Sequence, residues 1–183
     1  MKRKIIAAAA SVMFIVGGFT ASASSIAQDS PTVKELKLRA EFYQNDLDLL
    51  LDKARRGNFS DFYQDVVKFA QYGEKYPQYL LAVMLLKGDG VQQDIAQGLV
   101  WLRLALEQKN TEWQKVYDSV SAQLTKEQLE SLEPMYEAYK ARFGVEAQKM
   151  SCNNERMEAS NIRIHQCRKT LVLKEYYTVY EYN

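Results

Sequence analysis

One histidine, two cysteines and three prolines among 183 residues narrow the chemistry before any motif is read. General acid–base catalysis needs a tuned group in a cleft. The only histidine, His165, lies between Cys152 and Cys167, inside the loop that a bond between them would close. A nucleophilic triad needs a base with its own orienting partner, and a disulfide-bonded cysteine cannot attack. Two thiols and one imidazole also fall short of four zinc ligands and lack the paired short spacings of structural zinc sites. No C-x-x-C occurs, so thioredoxin-type redox chemistry and haem attachment lack their motif. Carboxylate pairs remain conceivable, since only folding brings two to within about 5 to 9.5 Å. Most of them, such as Glu127, Glu130 and Glu137, fall at the spacings of solvated helix faces. The chain is therefore expected to be non-catalytic, with no cofactor and no metal.

Charge of one sign is lacking too. The 24 basic residues nearly balance the 23 acidic ones, so the basic footprint of a nucleic-acid binder is missing. One long apolar run is present, at the start: MKRK precedes the uncharged IIAAAASVMFIVGGF, and Thr20-Ala21-Ser22-Ala23 supplies small residues of an A-x-A cleavage site. That pattern is a secretory signal peptide over 1–23, because a membrane span needs roughly 20 apolar residues. A polar leader, SSIAQDSP, follows over 24–31, and no later run is long enough to cross a bilayer. No stable membrane insertion is expected after cleavage. The mature chain, about 160 residues, can bury one good core. In the periplasm or outside the cell, Cys152 and Cys167 are expected to be bonded to each other. Closing a loop of about 15 residues contributes roughly 3 kcal/mol in the chain-entropy model.

From Thr32 the chain reads as helix almost without pause. Thr32-x-x-Glu35 has the form of a capping box, Gly57 is a helix stop, and Ser60 can cap a helix in which Phe62, Val66, Phe69 and Ala70 share one face. Pro77 suits the first turn of the next helix. Thr111-x-x-Gln114 and Thr125-x-x-Gln128 open two more, the last ending near Gly144, with a kink or break expected at Pro134. Helix, glycine-bearing loop, helix recurs at about 47 to 72, 77 to 109 and 111 to 143, roughly the period of stacked helical hairpins. A hairpin of this kind buries its apolar face only against its neighbours.

The clearest loop is KGDGVQQD. Gly88 is expected to end one helix in the left-handed conformation, Gly90 to let the chain reverse, Val91 to tuck between the helices, and Asp94 to cap the next helix. A phosphate-cradling G-x-G-x-x-G needs a preceding strand and a third glycine where Gln93 stands. A calcium loop needs alternating oxygen ligands, which Gly90 and Val91 interrupt.

QYLLAVMLLKGDGVQQDIAQGLVWLRLALEQ resembles one unit of the Sel-one-like repeat family, a branch of the tetratricopeptide-like repeats. Leu81, Ala82 and Leu85 occupy first-helix positions, Gly88, Gly90, Val91 and Asp94 match the loop, and Trp101 and Ala105 match the second helix; Gly98, Leu102 and Leu106 depart from it. The resemblance implies an all-α fold, a short α-solenoid of stacked hairpins over 32–144 with its clearest repeat at 77–109, used for protein binding. CNNERMEASNIRIHQCRKT is similar to a two-cysteine C-terminal segment of short exported proteobacterial proteins, with Ala159, Ser160, Asn161 and Ile162 at its centre. Residues 145–183 are thus expected to form a disulfide-tethered tail. Its end, TLVLKEYYTVYEYN, reads as a strand or an extended arm. Tyr176, Tyr177, Tyr180 and Tyr182 either make a sticky surface or pack on the last helix.

The expected function is a non-catalytic adaptor of the bacterial cell envelope, binding a protein or peptide partner through its helical surface. The alternative is a small periplasmic hydrolase or ligand-binding protein. For the adaptor, the partner stripe is Tyr79, Val83 and Lys87, which recur every four residues on one helix face; the competing reading buries Tyr79 and Val83 against the preceding helix through Phe69 or Tyr72. The mature chain is expected to begin at Ser24. Intact mass of the protein from an envelope fraction checks this, and residues 1 to 23 retained in the membrane pellet would overturn it.

Overall fold

The structure, a computed structural model, describes residues 32–57, 59–157 and 161–182. The expected signal peptide and polar leader lie outside the described residues, as do Ala159 and Ser160. Among those described, Val33–Arg39 forms strand β1, followed without a break by helix α1, Ala40–Arg56. A 3₁₀ turn at Phe59–Phe62 leads to α2, Tyr63–Gln71; then come α3, Lys75–Lys87, and α4, Ile95–Ala105. A second 3₁₀ turn, Leu106–Gln108, precedes α5, Thr111–Ser121, α6, Lys126–Glu130, and α7, Glu133–Phe143. Four strands close the chain: β2, Met150–Arg156; β3, Arg163–Lys169; β4, Leu171–Val172; and β5, Tyr176–Tyr182.

The all-α expectation is wrong. Seven α-helices are present among the described residues, with α3 packed along α2 and α4, but so are two antiparallel sheets: β1-β5-β4 and the hairpin β2-β3. The helix expected from Thr32 is β1. Its residues alternate, Leu36 and Leu38 turning inward while Lys37 and Arg39 stay exposed, and this period of two outweighs the local capping-box signal. Val33 pairs with Tyr182 and Arg39 with Tyr176, so the last strand lies along the first. The first backbone donor of α1, at Ala40, then bonds the Glu175 carbonyl at 2.8 Å.

Nor is the C-terminal quarter a tethered tail. The Cys152–Cys167 disulfide joins directly opposed residues of β2 and β3, with Cα atoms 3.9 Å apart. The bridge therefore staples a hairpin to itself, and β5 is held by its pairing with β1. Val179 at the middle of β5 is fully buried. Tyr177 packs on Tyr43 of α1 with ring centroids 5.2 Å apart, and Tyr182 packs on Phe143 of α7 at 6.1 Å.

Within the helical part most local signals hold, but Ser60 lies inside the 3₁₀ turn and bonds Asp61, and α2 starts after Phe62 without a side-chain cap. Gly57 ends α1 at φ 80°, Gly88 ends α3 in the left-handed conformation, and Asp94 caps α4 by accepting from the Gln97 backbone at 2.9 Å. Thr125 and Gln128 form a reciprocal capping box on α6. That helix stops after Glu130, and Pro134 sits in the first turn of α7, where a missing N–H costs nothing. The α5 cap is Asn110, one residue before the expected Thr111. Helix α3 packs along α2 and α4, and α4 meets α5 and α7. Gly98 permits the α3–α4 approach, because a Cβ there would stand 2.7 Å from Leu86 Cγ.

Gly90 has a role beyond chain reversal. At φ 72°, its missing Cβ would lie 2.6 Å from the Ser60 backbone nitrogen and 2.9 Å from the Phe59 carbonyl carbon, so the loop of the second hairpin presses on the 3₁₀ turn of the first. At Gly88 the nearest atom, Gln93 Cβ, stands 3.3 Å away. Gly88→Ala is expected to cost about 1–2 kcal/mol from backbone strain. Gly90→Ala adds overlap with unyielding backbone, for a total of about 3 kcal/mol, whereas exposed Asp89→Ala falls within about 0.5 kcal/mol of wild type. Urea denaturation of the three variants checks the order; equal midpoints for Gly88→Ala and Gly90→Ala would remove the inter-hairpin contact from the account.

Candidate functional site

The repeat-loop residues make structure. Gly88 and Asp89 donate their backbone N–H groups to the Met84 carbonyl at 2.8 and 3.0 Å, and Asp94 donates to Leu85 at 2.9 Å. Val91 packs against the core, and both Asp94 carboxylate oxygens are engaged by Gln97. The hydrogen bonds of Gly88, Asp94 and Gln93 in this loop all close within its own hairpin.

The stripe expected to meet a partner is placed differently from either reading of the sequence. Lys87 is exposed and Val83 half-buried. Tyr79 lies neither free nor against Phe69: its ring stacks on Trp113 of α5, 4.7 Å between centroids and 9° between planes. Tyr76, one turn earlier, remains 44 % exposed with its ring 6.2 Å from Tyr79 and 6.3 Å from Trp113. Trp113 itself is 7 % exposed. The result is an aromatic ledge: two rings locked face to face, and a third in solvent beside them.

A second feature was not anticipated from the sequence. A recess of about 270 Å³ opens between α1, the first turn of α3 and the end of β3. Leu47, Leu51, Pro77 and Tyr177 give it apolar walls; Gln44, Gln108 and Gln166 add amides; Glu74, Lys75, Arg168 and Lys169 add charge. Local structure explains how the charges converge. The turn between α2 and α3 runs through Gly73 at φ 90°, where a Cβ would stand 2.9 Å from Gln148 Cβ, and this close approach brings Glu74 and Lys75 beneath the β2-β3 hairpin.

Lys75 is 2 % exposed and fully coordinated, its ammonium donating to Glu107 Oε2 at 2.7 Å, Gln78 Oε1 at 2.9 Å and the Leu104 carbonyl at 3.4 Å. Burial pulls its pKa down, against the raising fields of Glu107 and Glu74. Glu74 is less settled. Its Oε1 accepts from the Tyr43 hydroxyl at 2.6 Å. Burial pushes its pKa up, while the Tyr43 hydrogen bond and the charges of Lys169, Lys75 and Arg168 pull it back. Burial also pushes the Tyr43 hydroxyl far above the ordinary tyrosine range, with help from the charge and hydrogen bond of Glu74.

Lys169 is 9 % exposed, and among the described residues its ammonium reaches one acceptor, the Gln148 carbonyl at 3.5 Å. Desolvation brings its pKa down to about 8, with Glu74 opposing and Lys75 adding to the fall. His165, outside this recess, sets Nδ1 3.1 Å from the Gln108 carbonyl. The disulfide residue Cys167 lines the recess wall, so the bridge holds β3, and with it Lys169, in place.

The signal for these residues was faint but present. Lys75 and Gln78 interrupt an apolar helix at i and i+3, a spacing that puts two polar groups on one buried face. Nothing local marks Lys169 or Gln148, whose burial depends on strands distant in sequence.

No family model matches the chain, and no curated protein matches it significantly. A solved structure described as that of c5321, a protective antigen present in uropathogenic Escherichia coli strains displaying an SLR fold, is 22 % identical with a TM-score of 0.41. The match covers 53 % of this chain and only 22 % of that one. At that level the likeness assigns neither family nor function.

The buried lysine predicts a pH profile. With a folded pKa of about 8 against an ordinary 10.5, the unfolded chain holds one more proton across that interval, so folding stability rises with pH. The rise amounts to at most about 3 kcal/mol. Near pH 10 it meets the opposite trend from Tyr43 and Tyr72, whose raised values make the folded state retain protons that the unfolded state loses. Denaturation of wild type and Lys169→Met between pH 8 and 10 checks this: the rise should be shallower in the variant, which keeps only the contribution of the lowered Lys75, and parallel profiles would contradict it.

Proposed function

We propose that the chain is a non-catalytic interaction module of the bacterial cell envelope, exported and cleaved near Ala23, that docks another protein on the ledge formed by α3 and α5. The exposed ring of Tyr76 beside the stacked Tyr79–Trp113 pair carries this reading. Protein interfaces favour tyrosine and tryptophan at their centres. Two rings already ordered by stacking lose little freedom on binding. Val83 and exposed Lys87 continue the stripe along α3 and supply its rim. The cross-strand disulfide suits an oxidising compartment. Among the described residues no helix is long and apolar enough to cross a membrane.

The test is a photo-crosslinking aromatic residue placed at position 76 in bacterial cells, with position 173 as control, since Leu173 is 76 % exposed on the β4–β5 turn. A discrete adduct from position 76 that is absent from position 173 is expected. With the partner in hand, Tyr76→Ala should weaken binding by about 1–2 kcal/mol while leaving the melting temperature unchanged. The same adducts from both positions, or none from position 76, would overturn the docking face.

A further inference from the structure

The recess between α1, α3 and β3 contains two opposite charges that are each left half-satisfied. Lys169 has three donors and one long bond, to the Gln148 carbonyl. Glu74 accepts the Tyr43 hydroxyl through Oε1, and no other hydrogen bond to its carboxylate forms among the described residues. Both line the same recess, yet no direct ion pair joins them; the nearby ion pairs are Lys75 with Glu107 and Arg168 with Glu155. A buried charge is normally paired or fully hydrogen-bonded, and Lys75, in contact with this site, meets that rule while Lys169 does not.

We propose that this recess binds a free aliphatic α-amino acid, its ammonium against Glu74, its carboxylate against Lys169 and its side chain against the apolar wall. The charge pattern selects a zwitterion. A simple anion would face Glu74, a simple cation would face Lys169, and a neutral molecule would strip water from both without replacement. Arg168 at the same mouth strengthens the carboxylate end, although its guanidinium already bonds Gln166 at 3.0 Å and Glu155 at 3.2 Å.

Size agrees with the charge argument. Pockets for drug-sized ligands run from about 300 to 1,000 Å³, and this one, at about 270 Å³, suits a smaller molecule. Leu47, Leu51, Pro77 and Tyr177 offer a surface for a branched aliphatic side chain. Tyr43, itself part of the recess wall, donates to Glu74 Oε1 at 2.6 Å and so fixes the carboxylate within the recess. The site goes beyond the docking reading and does not depend on it; Tyr76 alone borders both.

Isothermal titration of the mature, full-length chain at neutral pH with L-leucine, L-leucinamide and N-acetyl-L-leucine tests the proposal in unmodified protein. Saturable binding of leucine is expected, with affinity lower by roughly tenfold or more for each capped compound, because each cap removes one charged partner. Lys169→Met should erase the preference for leucine over leucinamide, and Glu74→Gln the preference over N-acetyl-leucine, each measured in a variant whose circular dichroism matches wild type. No saturable heat from leucine, valine or isoleucine up to about 10 mM overturns the site. So does equal affinity for all three compounds, and so does equal affinity for leucine and N-acetyl-leucine, which would mark a carboxylate-only pocket for a peptide end.

Discussion

The ion pair between Lys75 and Glu107 is the point through which most of the molecule is tied together. An ammonium 2 % exposed to water is tolerable only with its donors filled, and filling them fixes three elements at once. Lys75 belongs to α3, the Leu104 carbonyl to α4, and Glu107 to the 3₁₀ turn that follows. Glu107 reaches further, accepting the Val145 backbone N–H at 2.9 Å just beyond α7. Gln78, fully buried, accepts from Lys75 and donates to the Ala70 and Phe143 carbonyls at 3.0 and 2.9 Å. Five segments therefore share one polar network inside an apolar core. Partial loss is costly in such networks, because every remaining buried group then lacks a partner.

Gln148 does for the strands what Gln78 does for the helices. Its side-chain amide donates to the Arg142 and Tyr180 carbonyls, both at 2.9 Å, and accepts from the Tyr180 backbone at 3.2 Å. Its own carbonyl receives Lys169. One residue thus joins the end of α7 and strand β5 through its side chain and the base of the β2-β3 hairpin through its carbonyl. Glycine at position 73 lets α2 approach that side chain closely. The recess lies where these two networks meet, and Glu74 and Lys169 both line it. The aromatic ledge stands apart, built from packing between α3 and α5.

Both proposed surfaces form where elements outside the α3–α4 pair meet α3. The ledge exists because α5 brings Trp113 over the outer stripe of α3, and the recess exists because the hairpin covers the start of α3. Protein docking and small-ligand binding are then compatible in one domain, with Tyr76 bordering both surfaces.

Local chemistry alone determined much of the helical part. Gly57, Gly88, Asp94 and the Thr125–Gln128 box act within a turn of their own position, so the sequence states them directly. The break before Pro134 is of the same kind. Strand β1 was hidden because Thr32 and Glu35 imitate a capping box, and only β5, more than 130 residues away, supplies the hydrogen bonds that make an extended chain preferable. Tertiary structure also decided what the polar residues do. Lys75 and Gln78 carry only a faint spacing signal in the sequence and Lys169 none, until the helix ends and the hairpin exclude water around them. Desolvation is a property of the assembled neighbours, and for that reason the stacked rings and the half-paired charges of the recess could be read only from the folded chain.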